Sequence, residues 1–177
     1  MADSSKLTKA DVERLLKLLD EELSGEGIRA ELYMVGGAIM CLALDARSAT
    51  RDVDAYFRPT KRVREAAVRV AGRAGVPADW LNDAVKGYLG PRGDFAPFLE
   101  LPNLLVFVAR PEYLLAMKCA AMRLGEEFHD LDDVRYLLRY LNIDRVDDAM
   151  AIVTKYFDED LLPPKKRLAL EELLENR

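Results

Sequence analysis

The chain has 177 residues, half of them hydrophobic, with 26 basic and 31 acidic side chains for a net charge of −5. That composition excludes a disordered chain, and the length suits one domain, or a catalytic half with a helical extension, burying about two-thirds of its unfolded surface. It also excludes the overall basic footprint of a dedicated nucleic-acid binder, and no run reaches the roughly 18 apolar residues that a membrane span requires.

A first helix is predicted over Lys9–Leu23, capped by Thr8, because Val12, Leu15, Leu16 and Leu19 recur at helical spacing. Gly25-Glu26-Gly27 stops it. A strand over Ala30–Val35, a short apolar helix over Ala38–Leu44 and a strand over Val53–Phe57 follow, the last ended by Arg58-Pro59. Arg62–Ala74 reads as a helix with Gly75 after it, and Ala78–Tyr88 as another helical piece. The bases Lys61, Arg62, Arg64, Arg69 and Arg73 on this stretch read as a solvated face.

After the break at Gly90–Asp94, Phe95–Leu99 and Leu104–Ala109 read as strands of a hairpin around Pro102-Asn103. Pro111 opens a helix at its favoured first turn, and helices are predicted over Glu112–Leu124, Leu131–Leu141, Arg145–Phe157 and Lys165–Glu175. The expected fold is therefore α/β (α+β). A small mixed sheet flanked by helices occupies residues 1–110, and a helical region packed on it occupies 111–177. Cys41 and Cys119 lie in apolar helical stretches without metal-ligand spacing and read as reduced core residues. The first six residues carry no apolar signal segment, so a cytoplasmic protein is expected.

Chemistry concentrates at Gly36-Gly37 and, fifteen residues on, Asp52-Val53-Asp54. Alternate strand residues point the same way, so Asp52 and Asp54 leave one face, where two anionic oxygen ligands suit Mg²⁺. A main chain without side chains at Gly36-Gly37 can approach a phosphate closely. Further along, Tyr113–Leu124 is apolar nearly all round apart from Lys118 and Arg123. An unpaired ammonium buried there would cost several kcal/mol, so Lys118 is expected to meet a carboxylate or a ligand phosphate. Asp130 and Asp133 share a helical face and are the candidate carboxylates, Asp130 doubling as a helix cap. His129 is the chain's one histidine, which excludes a histidine-pair mechanism. A P-loop, a dinucleotide fingerprint, a nucleophile elbow and zinc spacings are all missing from the sequence.

Gly36-Gly37-Ala38 with Arg47-Ser48-Ala49-Thr50-Arg51-Asp52-Val53-Asp54 resembles the signature of the polymerase-β-type nucleotidyltransferase superfamily. The fuller similarity is to small bacterial members related to the AbiEii-type toxin nucleotidyltransferases. Pro111–Lys118, then Ala121 and Arg123, then His129–Asp133 resemble their later motifs in order and spacing. The resemblance implies a nucleotidyltransferase core in which Asp52 and Asp54 bind Mg²⁺ or Mn²⁺ and the triphosphate, Gly36 and Gly37 cradle phosphate, and Lys118 and Asp130 complete a catalytic site. It further implies nucleotide contacts from Arg47, Thr50, Arg123 and Asp133. Polymerase-like members carry a third carboxylate on a neighbouring strand. Leu104–Val108 has none, which leaves Glu100 or Asp94.

The implied activity is metal-dependent transfer of a nucleoside monophosphate from a nucleoside triphosphate to tRNA, a protein or a small molecule. The setting would be toxin–antitoxin or phage defence, with a cognate antitoxin or regulatory protein as partner and no membrane. The other reading is a catalytically inactive module of the same fold that acts through a protein partner.

Overall fold

The computed structural model describes residues 6–89, 92–122 and 130–176, with the side chains of Tyr88, Asp130 and Leu161 outside that description. The fold is mixed α/β. Its contacts divide the chain into two units, Met1–Gly87 with Phe95–Ala109 and Tyr88–Asp94 with Arg110–Arg177.

In the first unit, β1 (Leu7–Thr8) runs into α1 (Lys9–Gly25) through a capping box. Thr8 Oγ1 accepts from the Asp11 amide at 3.2 Å, and Asp11 Oδ2 accepts from the Thr8 amide at 2.9 Å. The hydroxyl of Thr8 holds the Asp11 carboxyl below the ordinary carboxylate range. Val12, Leu15, Leu16, Leu19 and Leu23 of α1 are fully buried, each contributing about 1.5–3 kcal/mol by burial. A run of strands follows along the chain.

These are β2 (Ala30–Val35), β3 (Ala49–Thr50), β4 (Val53–Arg58), β5 (Leu81–Asn82), β6 (Phe95–Glu100) and β7 (Leu104–Ala109). Five form one sheet in the order β5-β4-β2-β7-β6; β1 and β3 form a separate two-stranded ladder. The central strand β2 is antiparallel to β4 and parallel to β7. On one face Leu32, Met34, Val53, Ala55, Phe57, Leu104 and Val106 are buried, as the period of two dictates. Helices α1 and α3 (Thr60–Ala74) pack on each other, α1 also against β7 and α3 against β4. The opposite face is half-buried and aromatic: Tyr33 stacks on Phe107 at 4.8 Å, meets Phe95 edge-on at 5.2 Å and lies 6.0 Å from Tyr56.

Two elements differ from the sequence expectations for physical reasons, and one surface shows a finer pattern than the sequence does. The bases of α3 are largely committed: Arg62 and Arg69 pair with Glu26, Arg69 and Arg73 with Glu22, and Arg73 with Glu21. They therefore tie α3 to α1 while staying exposed, in keeping with the solvated face expected from sequence. The short helix α2 (Gly37–Leu42) ends before Ala43, with Ala46 N–H turned to Met40 O at 2.7 Å. Most consequential, Ala78–Tyr88 is not a helix. It holds β5 and a 3₁₀ turn over Ala84–Tyr88, because Trp80 is buried with its indole N–H on Ala67 O at 3.0 Å. Its carbonyl then accepts from the Val53 amide at 2.7 Å, which carries the chain alongside β4.

The second unit contains α4 (Pro111–Ala121), α5 (Asp130–Tyr140), α6 (Val146–Tyr156) and α7 (Pro164–Glu175). α4 packs on α5 and α6, and α7 packs on α5 and α6. Tyr113 is fully buried, 5.0 Å from Tyr156 and 6.4 Å from Phe157. Among the described residues no helix is long and apolar enough to cross a membrane.

Candidate active site

β2 delivers the chain to Gly36 beside β4, since Val35 lies opposite Asp54 in the antiparallel register. Gly36 has φ 71° and ψ −152°, a conformation essentially confined to glycine. A Cβ added there would lie 2.9 Å from Asp54 Oδ2. Two independent constraints thus require glycine: the backbone angle and the carboxylate against it. At Gly37 a Cβ would meet Thr50 Oγ1 at 3.3 Å and Arg47 Nη1 at 3.4 Å. The guanidinium and the hydroxyl therefore converge on the second glycine.

Thr50 is held in place by its neighbours. It is 6% exposed, its strand β3 pairs with β1 through Leu7 opposite Thr50, and its hydroxyl donates to Asp52 O at 3.0 Å. That bond fixes the chain as it enters β4. Asp52 itself precedes the first residue of β4, and Asp54 is the second. The first unit thus brings together Gly36, Gly37, Arg47, Thr50, Asp52 and Asp54, six residues expected from sequence.

Burial, and after it the neighbouring charge of Asp54, push the Asp52 carboxyl above its ordinary value; Arg51 and a hydrogen bond from Asn82 pull the other way. Asn82 Nδ2 donates to Asp52 Oδ2 at 3.2 Å. The donor set is therefore two carboxylates of like charge beside a glycine turn, with no sulfur or imidazole. Hard oxygen donors of this kind fit Mg²⁺ or Mn²⁺, and the missing Cβ of Gly36 lets the Asp54 carboxylate lie against the turn. Among the described residues no group of three or more His, Cys, Asp or Glu side chains is placed to hold a metal ion. Any further ligands of a cation on Asp52 and Asp54 would come from substrate and water.

Glu100 does not serve as a third carboxylate. Glu100 lies opposite Leu105, in the sheet row of Glu31 and Arg58. That row is four residues along the strand from Asp54, about 13 Å at strand rise. Asp94 belongs to the second unit, where it pairs with Arg110 at 3.1 Å and accepts from Tyr156 Oη at 3.1 Å. Burial and that bond push the Tyr156 phenol up to about 12. On β7 the residues facing the same way as Asp54 are Leu105, Phe107 and Ala109, none of them acidic.

In the second unit Lys118 Nζ lies 2.7 Å from Asp133 Oδ2, with side chains 17% and 3% exposed. Lys118 has a carboxylate partner, one of the two outcomes its apolar helix called for, in a largely buried ion pair. Asp130 is the first residue of α5, and its side chain lies outside the described residues, as do Arg123 and His129. Sequence reasoning missed Asn82, which a helical reading of Ala78–Tyr88 hides; the signal available was Trp80, a side chain large enough to anchor an edge strand. Compared with protein-family models, curated proteins and solved structures, the chain matches none.

Proposed function

We propose that this chain is a metal-dependent nucleotidyltransferase. It moves a nucleoside monophosphate from a nucleoside triphosphate to an acceptor hydroxyl on tRNA, protein or a small molecule, in a toxin–antitoxin or phage-defence setting. The observation that carries the reading is the contact between the glycine turn and the carboxylate, a would-be Cβ of Gly36 only 2.9 Å from Asp54 Oδ2. A phosphate can reach that carboxylate's cation only where the backbone has no side chain.

Asp52 and Asp54 are the residues that would hold Mg²⁺, and the bound ion would supply neutralisation of triphosphate charge. Arg47 Nη1, beside Gly37, supplies donors and a fixed positive charge for phosphate oxygens, while Thr50, whose hydroxyl donates to Asp52 O, holds the chain that enters β4. The acceptor oxygen forms the new bond to the α-phosphorus, pyrophosphate leaves with the electrons of the broken bond, and the acceptor proton passes to solvent.

The test is thermal unfolding with Mg²⁺ and each nucleoside triphosphate in turn. At 100 times its dissociation constant a ligand adds about 2.7 kcal/mol, or roughly 5–10 °C for a chain of this size. Asp54→Asn should abolish the shift, and α-labelled nucleotide should be incorporated by the wild type alone. No shift with any of the four nucleotides would overturn the enzyme reading in favour of a binding module of the same fold.

A further inference from the structure

The edge strand β5 sets one more polar group at the carboxylates. Asn82 is the direct Cα partner of Asp54 across the parallel β4–β5 pair, while its amide nitrogen donates to Asp52 Oδ2 at 3.2 Å. One side chain therefore flanks one carboxylate and touches the other.

That side chain is anchored from both directions. Two residues before it, Trp80 is buried, bonded through its indole to Ala67 O at 3.0 Å and through its carbonyl to Val53 N–H at 2.7 Å. One residue after it, Asp83 is gripped by Arg64 at 2.7 Å and Lys86 at 2.8 Å. Both cations are engaged by Asp83.

The choice of an amide has a chemical meaning. A lysine or arginine at this position would neutralise Asp52 and compete with a metal for its oxygen. A neutral amide donates one N–H to Oδ2, leaves the negative charge in place and leaves Oδ1 with both its lone pairs for a ligand. Ligating carboxylates held by such partners keep the orientation their metal needs.

We propose that Asn82 is a positioning residue for a divalent cation. Its amide locks Asp52 in the orientation that lets Asp52 and Asp54 hold one ion together. This rests on reading the two carboxylates as a cation site.

The measurement is free Mn²⁺ by electron paramagnetic resonance during titration of the full chain, alone and with ATP, GTP, CTP or UTP. Asn82→Ala should weaken Mn²⁺ binding by about 10- to 100-fold. Asn82→Leu, close in shape and lacking the donor, should do the same and covers the case in which the alanine variant fails to fold. In an Asp52→Asn background, Asn82→Ala should change nothing further, because the residue acts through Asp52. Unchanged Mn²⁺ affinity in a folded Asn82 variant, or an undiminished loss in the Asp52→Asn background, would overturn the positioning role alone. Absence of Mn²⁺ binding by the wild type would overturn the cation site with it.

Discussion

Asp52 with Asp54 and Asp133 with Lys118 are opposite solutions to keeping carboxylates out of bulk water. Asp133 is 3% exposed and has an ammonium at 2.7 Å, so its charge is answered inside the fold. Asp52 is set beside a second carboxylate and receives a neutral amide, and its protonation is favoured by burial and by that neighbour. A buried ion pair is what a fold needs where the chain must only be stable. Like charges brought together oppose folding, and they make chemical sense where a cation from outside completes them.

The largest expected effect is at the paired aspartate. Lys118→Met strands Asp133 and should lower unfolding free energy by about 3–5 kcal/mol, read as a fall in the urea midpoint, and Lys118→Met/Asp133→Leu should recover most of it. If the single variant is as stable as wild type, the contrast between the two regions fails. Next comes Gly36→Ala, which forces a Cβ into a glycine-only backbone angle and against Asp54. It should cost about 1–3 kcal/mol by chemical denaturation. Gly72→Ala, inside α3 with open space around the new methyl, serves as its control and should add about 0.5–1 kcal/mol.

The subtlest is Asp52→Asn, whose signature is a pH dependence. Below the ordinary carboxylate value of 3.8 the side chain is protonated folded or unfolded, so the wild type loses nothing. As pH rises from 3.8 through the raised folded value, the unfolded chain ionises first and the wild type loses stability. Metal-free Asp52→Asn should therefore be the more stable protein at neutral pH, with the advantage fading as acid is added. A variant less stable at every pH would mean that Asp52 is a structural partner.

Much of the first unit is written in local patterns. The apolar spacing of Val12, Leu15, Leu16 and Leu19 gives α1, and the alternation Val53–Asp54–Ala55 places the carboxylate opposite the core. Gly36-Gly37 can be read because one short stretch both ends a strand and starts a helix. Lys118 was legible as a buried cation in an apolar helix, with Asp130 and Asp133 as its candidate partners; that Asp133 is the one at 2.7 Å was not. Asn82 was hidden for a different reason. Its strand has two residues, too few for any period, and forms only because Trp80 reaches α3 and β4 far along the chain. The ladder of Leu7–Thr8 on Ala49–Thr50 is equally short and equally non-local, although it holds the threonine of the site.

The margins of the sheet carry one more consequence, for behaviour at high concentration. An open β-sheet can grow by recruiting a strand from another molecule, and long flat edges invite it. Here one margin is β5, two residues long. The other, β6, is broken by a register shift between Pro97 and Leu99, and Pro97 has no amide hydrogen to offer a newcomer. Both margins are poor templates for strand recruitment, so the sheet that presents the carboxylates is guarded against edge-to-edge aggregation.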